Sequence, residues 1–134
     1  MTDAKGVIAQ ITFLYYHQLE PVVSFYEEIL GLELVEDQGW AKIYRVHGDA
    51  YLGIVAGGKG LHSPQRDNAV LVTLVVDDAA HWYTELNRTS IEMLSELENR
   101  EEIGIRCFFV RDPGGYTLEI QQFLNPKQIE TFGG

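Results

Sequence analysis

The chain has 134 residues, 46% hydrophobic and 22% charged, the balance of an ordinary soluble globular chain with room for one real core and not two independent ones. Twenty acidic residues against ten basic ones leave a net charge of −10, which argues against a nucleic-acid partner, whose phosphates require Lys and Arg. No apolar run approaches the ~20 residues of a membrane-spanning helix.

Met1–Gly6 is short and polar, with none of the layout of a secretory signal. Val7–Tyr16, rich in β-branched and aromatic residues, reads as a strand. Glu20-Pro21 opens a helix with proline in its first turn, Val22, Phe25, Tyr26, Ile29 and Leu30 fall at helical spacing, and Gly31 caps it. Three extended stretches follow, Leu32–Glu36, Trp40–Val46 and Tyr51–Ala56, with turns at Gln38-Gly39 and His47-Gly48-Asp49. Gly57–Asn68 has glycines, a proline and no apolar period, and reads as a flexible linker.

The order then repeats. Ala69–Val76 is a strand, and Asp77-Asp78 cap a helix through Ala79, Trp82, Tyr83 and Leu86. Ile91–Leu97 is a weaker strand, and Ile103–Val110 and Tyr116–Phe123 form a hairpin around Asp112-Pro113-Gly114-Gly115. The chain therefore reads as a single domain, 1–134. Repeat one covers about 7–57, a linker 57–68, repeat two about 69–123, and a C-terminal extension 124–134. The expected fold is α+β: two tandem βαβββ modules forming curved mixed sheets around a cavity. Within the extension, Asn125–Gly134 is either a free tail or an arm that packs on a partner through Ile129 and Phe132.

Three segments carry a family resemblance. They are Phe25-Tyr26-Glu27-Glu28-Ile29-Leu30-Gly31-Leu32, Val76-Asp77-Asp78, and Phe108-Phe109-Val110-Arg111-Asp112-Pro113-Gly114-Gly115-Tyr116-Thr117-Leu118-Glu119. In this order and spacing the chain resembles the glyoxalase / bleomycin-resistance / extradiol dioxygenase (vicinal oxygen chelate) superfamily, over essentially Val7 to Phe123. The resemblance implies a divalent metal held by a His on the first strand, a Glu on the fourth, a His on the fifth and a Glu on the eighth. Counting from the matched motifs, Ile11, Gly53 and Leu71 occupy the first three positions, and only Glu119 keeps a ligand. Residues 6–16 and 69–76 contain no His, and residues 50–58 contain no Glu. The expectation is no metal and no cofactor.

The remaining candidates for chemistry are bland. His17, His47, His62 and His81 share no ligand spacing, and Cys107 lies inside an apolar strand, where a free cysteine behaves as a small buried hydrophobe. One cysteine excludes an internal disulfide and fits a reducing compartment, so the expected setting is cytoplasmic.

If the four former ligand positions face the cavity, strand alternation names its lining. Ile11 brings Phe13 and Tyr15; Gly53 brings Tyr51 and Val55; Leu71 brings Thr73 and Val75; Glu119 brings Thr117 and Gln121. Trp40, Tyr15 and Tyr51 are aromatic residues available to stack on a ligand. The leading reading is a metal-free protein that binds a small molecule, an antibiotic-like or cationic aromatic ligand drawn by the acidic balance. The alternatives are an enzyme of glyoxalase or dioxygenase type with Glu119 as general base, or a member that keeps the fold for dimerisation. The family's habit implies a homodimer, with no nucleic-acid or membrane partner.

Overall fold

A computed structural model describes residues 5–133. Of Met1–Gly6 only Lys5 and Gly6 fall within that range, and Gly134 lies outside it. The chain divides into two compact units, Met1–Arg66 and Asp67–Gly134, with the division inside the Gly57–Asn68 segment. The architecture is mixed α+β, with one open mixed sheet in each unit.

In the first unit the elements run β1 (Gln10–Tyr16), α1 (Glu20–Ser24), β2 (Glu33–Asp37), β3 (Ala41–His47) and β4 (Ala50–Ala56). The sheet order is β1-β4-β3-β2. β1 lies parallel to β4, and the other pairs are antiparallel. The strand expected from Val7 starts only at Gln10; Val7 and Ile8 are exposed, so the residues preceding Gln10 have no apolar surface to pack on.

The helix departs from regular spacing. After Ser24 it widens into a π turn over Phe25–Ile29, where the Leu30 amide donates to the Phe25 carbonyl at 3.0 Å. Neighbouring residues on an α-helix point about 100° apart, yet Phe25 and Tyr26 are both buried against the sheet. An apolar stripe of that width accommodates both. The Tyr26 ring stacks on Tyr44 of β3 with centroids 6.0 Å apart, and the Tyr44 hydroxyl donates to Glu27 at 2.9 Å. Burial, then that hydrogen bond and the nearby charge, push the Tyr44 hydroxyl well above the usual tyrosine range. Gly31 ends the helix at φ +71, a conformation that glycine adopts without strain.

The second unit runs β5 (Leu71–Val75), α2 (Ala79–Leu86), β6 (Glu92–Met93), β7 (Glu98–Arg100), a 3₁₀ turn at Glu101–Ile103, β8 (Ile105–Arg111), β9 (Thr117–Phe123) and α3 (Pro126–Phe132). The sheet order is β5-β9-β8-β6, with β7 also pairing β8. Asp78 caps α2 as expected, accepting from the His81 amide at 3.1 Å. Of the strand expected over Ile91–Leu97 only β6, Glu92–Met93, forms, and β7 follows beyond it at Glu98–Arg100. Between them the Ser95 hydroxyl accepts from the Phe109 amide at 3.0 Å, so a side chain satisfies the ladder where the backbone lifts away. Within the extension, the described residues 125–133 are not a free tail. Asn125 caps α3 by accepting from the Lys127 amide at 3.0 Å, and Phe132 stacks on Phe123 of the same unit at 4.7 Å.

Each sheet buries one face beneath its own helix. In the second unit that face carries Leu74, Phe108, Val110, Leu118 and Ile120, all buried, with Tyr83 of α2 edge-on to Phe108 at 5.1 Å. Truncating Phe108 leaves a cavity in this layer. Phe108→Ala is therefore expected to lower the unfolding free energy by about 3–5 kcal/mol in urea titration. Ile8→Ala, at an exposed position, is expected to change it by less than about 0.5 kcal/mol.

Candidate functional site

The other face of each sheet carries the residues that alternation selected. In the first unit the register sets Ile11 beside Tyr51, Phe13 beside Gly53 and Tyr15 beside Val55, with Ile43 and Arg45 of β3 completing the rows. This face is filled by its own side chains. A Cβ built on Gly53 would overlap the Phe13 ring and lie 3.2 Å from its Cγ; the ring occupies the space that a side chain at 53 would need. The chain after β4 folds back in the same way. A Cβ on Gly60 would lie 2.8 Å from Val55 and 2.9 Å from the Tyr15 ring, and His62 packs edge-on to Tyr15 at 5.5 Å. Gly57–Asn68 is thus more than a flexible linker, because its first half is seated on the first unit.

Tyr51 is already engaged. The Arg45 guanidinium lies 5.1 Å from its ring centroid and donates to its hydroxyl at 2.8 Å. Trp40 sits in the turn between β2 and β3 and is exposed, outside the rows that group the other candidates. Ile11 and Phe13 are each about two-fifths exposed.

The second unit's face is different in chemistry. Leu71 stands beside Thr117, Thr73 beside Glu119 and Val75 beside Gln121. Across the hairpin, Phe109 stands opposite Glu119 and Cys107 opposite Gln121. The turn sets this register. Asp112, itself buried, accepts from the amides of Gly114 and Tyr116, both at 2.9 Å, and Gly115 takes φ +97. Leu71 is 52% exposed and Val75 43%, while Glu119 between them is only 7% exposed. A carboxylate buried this far is costly unless hydrogen-bonded. Its Oε1 accepts from the Thr73 hydroxyl at 2.9 Å, and its Oε2 accepts from the Gln121 amide at 3.2 Å. Among the described residues no Lys, Arg or His forms an ion pair with it.

Phe109 was not among the candidates read from sequence, although pairing outward from the Asp112 turn would have found it. Cys107 is fully buried. Burial first, then the charge of Glu119 and a hydrogen bond to it, push its thiol up. Among the described residues no group of three or more His, Cys, Asp or Glu side chains is placed to hold a metal ion.

Two measurements test this geometry. Gly53→Ala must displace the Phe13 ring and is expected to cost about 1 kcal/mol. In a Phe13→Ala background that cost should vanish, and a double-mutant cycle by urea unfolding reads the difference. For Cys107, the folded chain holds the thiol proton more tightly than the unfolded chain. The stability this contributes is whole below about pH 8.5, the ordinary thiol value, and is lost as pH rises from there towards the folded value. Unfolding free energy should therefore fall more steeply between pH 8 and about 10 in the native chain than in Cys107→Ala.

Comparison with known proteins adds the following. The family model described as the Glyoxalase/Bleomycin resistance protein/Dioxygenase superfamily matches residues 7–120. Among solved structures, a glyoxalase/bleomycin resistance protein/dioxygenase from Nocardioides is 20% identical with a TM-score of 0.73, the match covering 93% of this chain and 88% of that one. TioX from Micromonospora sp. ML1 is 16% identical with a TM-score of 0.73, covering 88% and 100%. Lactoylglutathione lyase from Agrobacterium tumefaciens is 19% identical with a TM-score of 0.68, covering 87% and 93%. At these identities the likeness is one of fold. No curated protein matches in sequence.

Proposed function

Because the chain belongs to the glyoxalase/bleomycin resistance protein/dioxygenase superfamily, we propose that it is a metal-independent small-molecule-binding protein that holds an antibiotic-like or cationic aromatic ligand. The observation that carries this reading is Glu119. It is a carboxylate almost wholly buried beneath exposed apolar neighbours, held by neutral donors and with no ion pair to a cation among the described residues. Such a group favours a positive charge brought to it, and the apolar flank of Leu71, Val75 and Phe109 supplies area for the rest of a ligand. Thr73, Gln121 and Thr117 give the sparse polar groups that orient it. Ile11, Phe13, Tyr15, Tyr51, Gly53 and Trp40 stay in the proposal as candidate ligand-contacting residues of the first unit.

The donor set supports independence from metal. The divalent ion implied by the family does not fit these residues: Ile11, Gly53 and Leu71 offer no donor atoms in their side chains, and the Phe13 ring fills the space above Gly53. The proposal extends to a homodimer, supported by exposed apolar residues such as Leu34, Val35 and Ile103, and to a cytoplasmic setting, the ordinary one for a chain with a buried free thiol. No helix among the described residues is long and apolar enough to cross a membrane.

A second reading draws on the same burial. An enzyme of glyoxalase or dioxygenase type would use Glu119, a carboxylate on the second unit's open face, as general base.

Metal analysis of chain purified without chelators, followed by thermal shift with planar aromatic cations, separates these readings. Expected are no stoichiometric Zn, Ni, Fe or Mn and stabilisation by a cationic ligand, ~2.7 kcal/mol at ~100 times its Kd. In Glu119→Gln the affinity should drop about tenfold or more, a loss of ~1.4 kcal/mol. Stoichiometric metal overturns the proposal, and turnover abolished by Glu119→Gln selects the enzyme instead.

A further inference from the structure

The second unit's face says more about its ligand than its charge. Each carboxylate oxygen has two lone-pair positions. On Glu119 one position of Oε1 is taken by the Thr73 hydroxyl, from the neighbouring strand β5, and one of Oε2 by the Gln121 amide, from the same strand. Clamped at both oxygens, the carboxylate cannot turn freely about its last bond, and of the two positions left one receives the Cys107 thiol. The Cys107 thiol is one diagonal step away on the same face; it is a weak donor that a charged N–H outcompetes. The guanidinium of Arg100, also on this face, is held by Glu98 at 3.3 Å.

Resting on the reading of Glu119 as the ligand's counter-charge, we propose that this face selects planar cations with two parallel N–H donors, amidinium or guanidinium groups, over quaternary ammonium ions. Two acceptors on one fixed plane, one of them yielded by the weakly bound thiol, match a two-pronged donor, which gains two charge-assisted hydrogen bonds where a quaternary ion gains none. Phe109, directly opposite Glu119 on β8, adds an aromatic surface beside which a flat cation can lie. A quaternary ammonium ion has no N–H to offer. It is recognised by cages of several aromatic rings, and the rows around Glu119 hold a single aromatic residue, Phe109.

Benzamidinium and benzyltrimethylammonium carry the same charge on a similar ring, and titration calorimetry of the full chain compares them. Benzamidinium is expected to bind at least about ten times more tightly. Glu119→Gln should bring it down to the level of the quaternary ion, and Thr73→Val, by freeing one oxygen and the carboxylate's rotation, should narrow the preference. Equal affinities, both lost in Glu119→Gln, overturn this selectivity and leave Glu119 as a plain counter-charge. If neither cation binds at millimolar concentration, or if binding ignores Glu119→Gln, both this inference and the proposed function fail. The comparison of the two cations needs no variant, so a poorly folding mutant does not remove the test.

Discussion

In each unit the first strand runs parallel to the last, β1 beside β4 and β5 beside β9, and the candidate chemistry depends on that pairing. Parallel neighbours cannot be joined by a tight turn; they need a crossover, here a helix and further strands. The pairing therefore brings together side chains far apart in sequence. Thr73 and Glu119 are 46 residues apart, yet their side chains share a 2.9 Å hydrogen bond. Without β5 beside β9, the buried carboxylate would lose the Thr73 donor and become a greater cost to the fold. The same kind of pairing in the first unit lays Phe13 over Gly53.

The two units share a plan but differ in what their open faces do. On the first, space is taken up from within: Phe13 covers Gly53, Arg45 covers Tyr51, and the segment with Gly60 and His62 covers Val55 and Tyr15. On the second, the central row keeps a carboxylate with neutral partners, flanked by exposed Leu71 and Val75. The two faces thus differ, one packed from within and the other holding an oriented anion.

Much of the fold was legible because its signals are local. Alternation along Ile11, Phe13 and Tyr15, and along Leu71, Thr73 and Val75, placed those residues on one face of their strands, and the registers agree. Asp78 and Gly31 act at the helix ends that capping chemistry assigned them. The misreadings have tertiary causes. The π turn over Phe25–Ile29 carries two buried aromatic residues, with Tyr26 stacked on Tyr44 of β3. The break between β6 and β7 rests on Ser95 bonding to Phe109, a residue on another strand. α3 is held in part by Phe132 stacking on Phe123. A scan for periodicity sees none of these contacts.

From the sequence alone came the repeat, the helix caps and the hairpin turn at Asp112. Those follow from residue chemistry and short-range spacing, which need no knowledge of neighbours. Tertiary structure alone decided that Gly53 lies beneath Phe13, that Tyr51 is engaged by Arg45, and that Glu119 is buried between Thr73 and Gln121 with Phe109 opposite. These depend on which strands lie side by side and in what register. Such contacts join distant residues, and their free energy appears only once the chain has closed on itself.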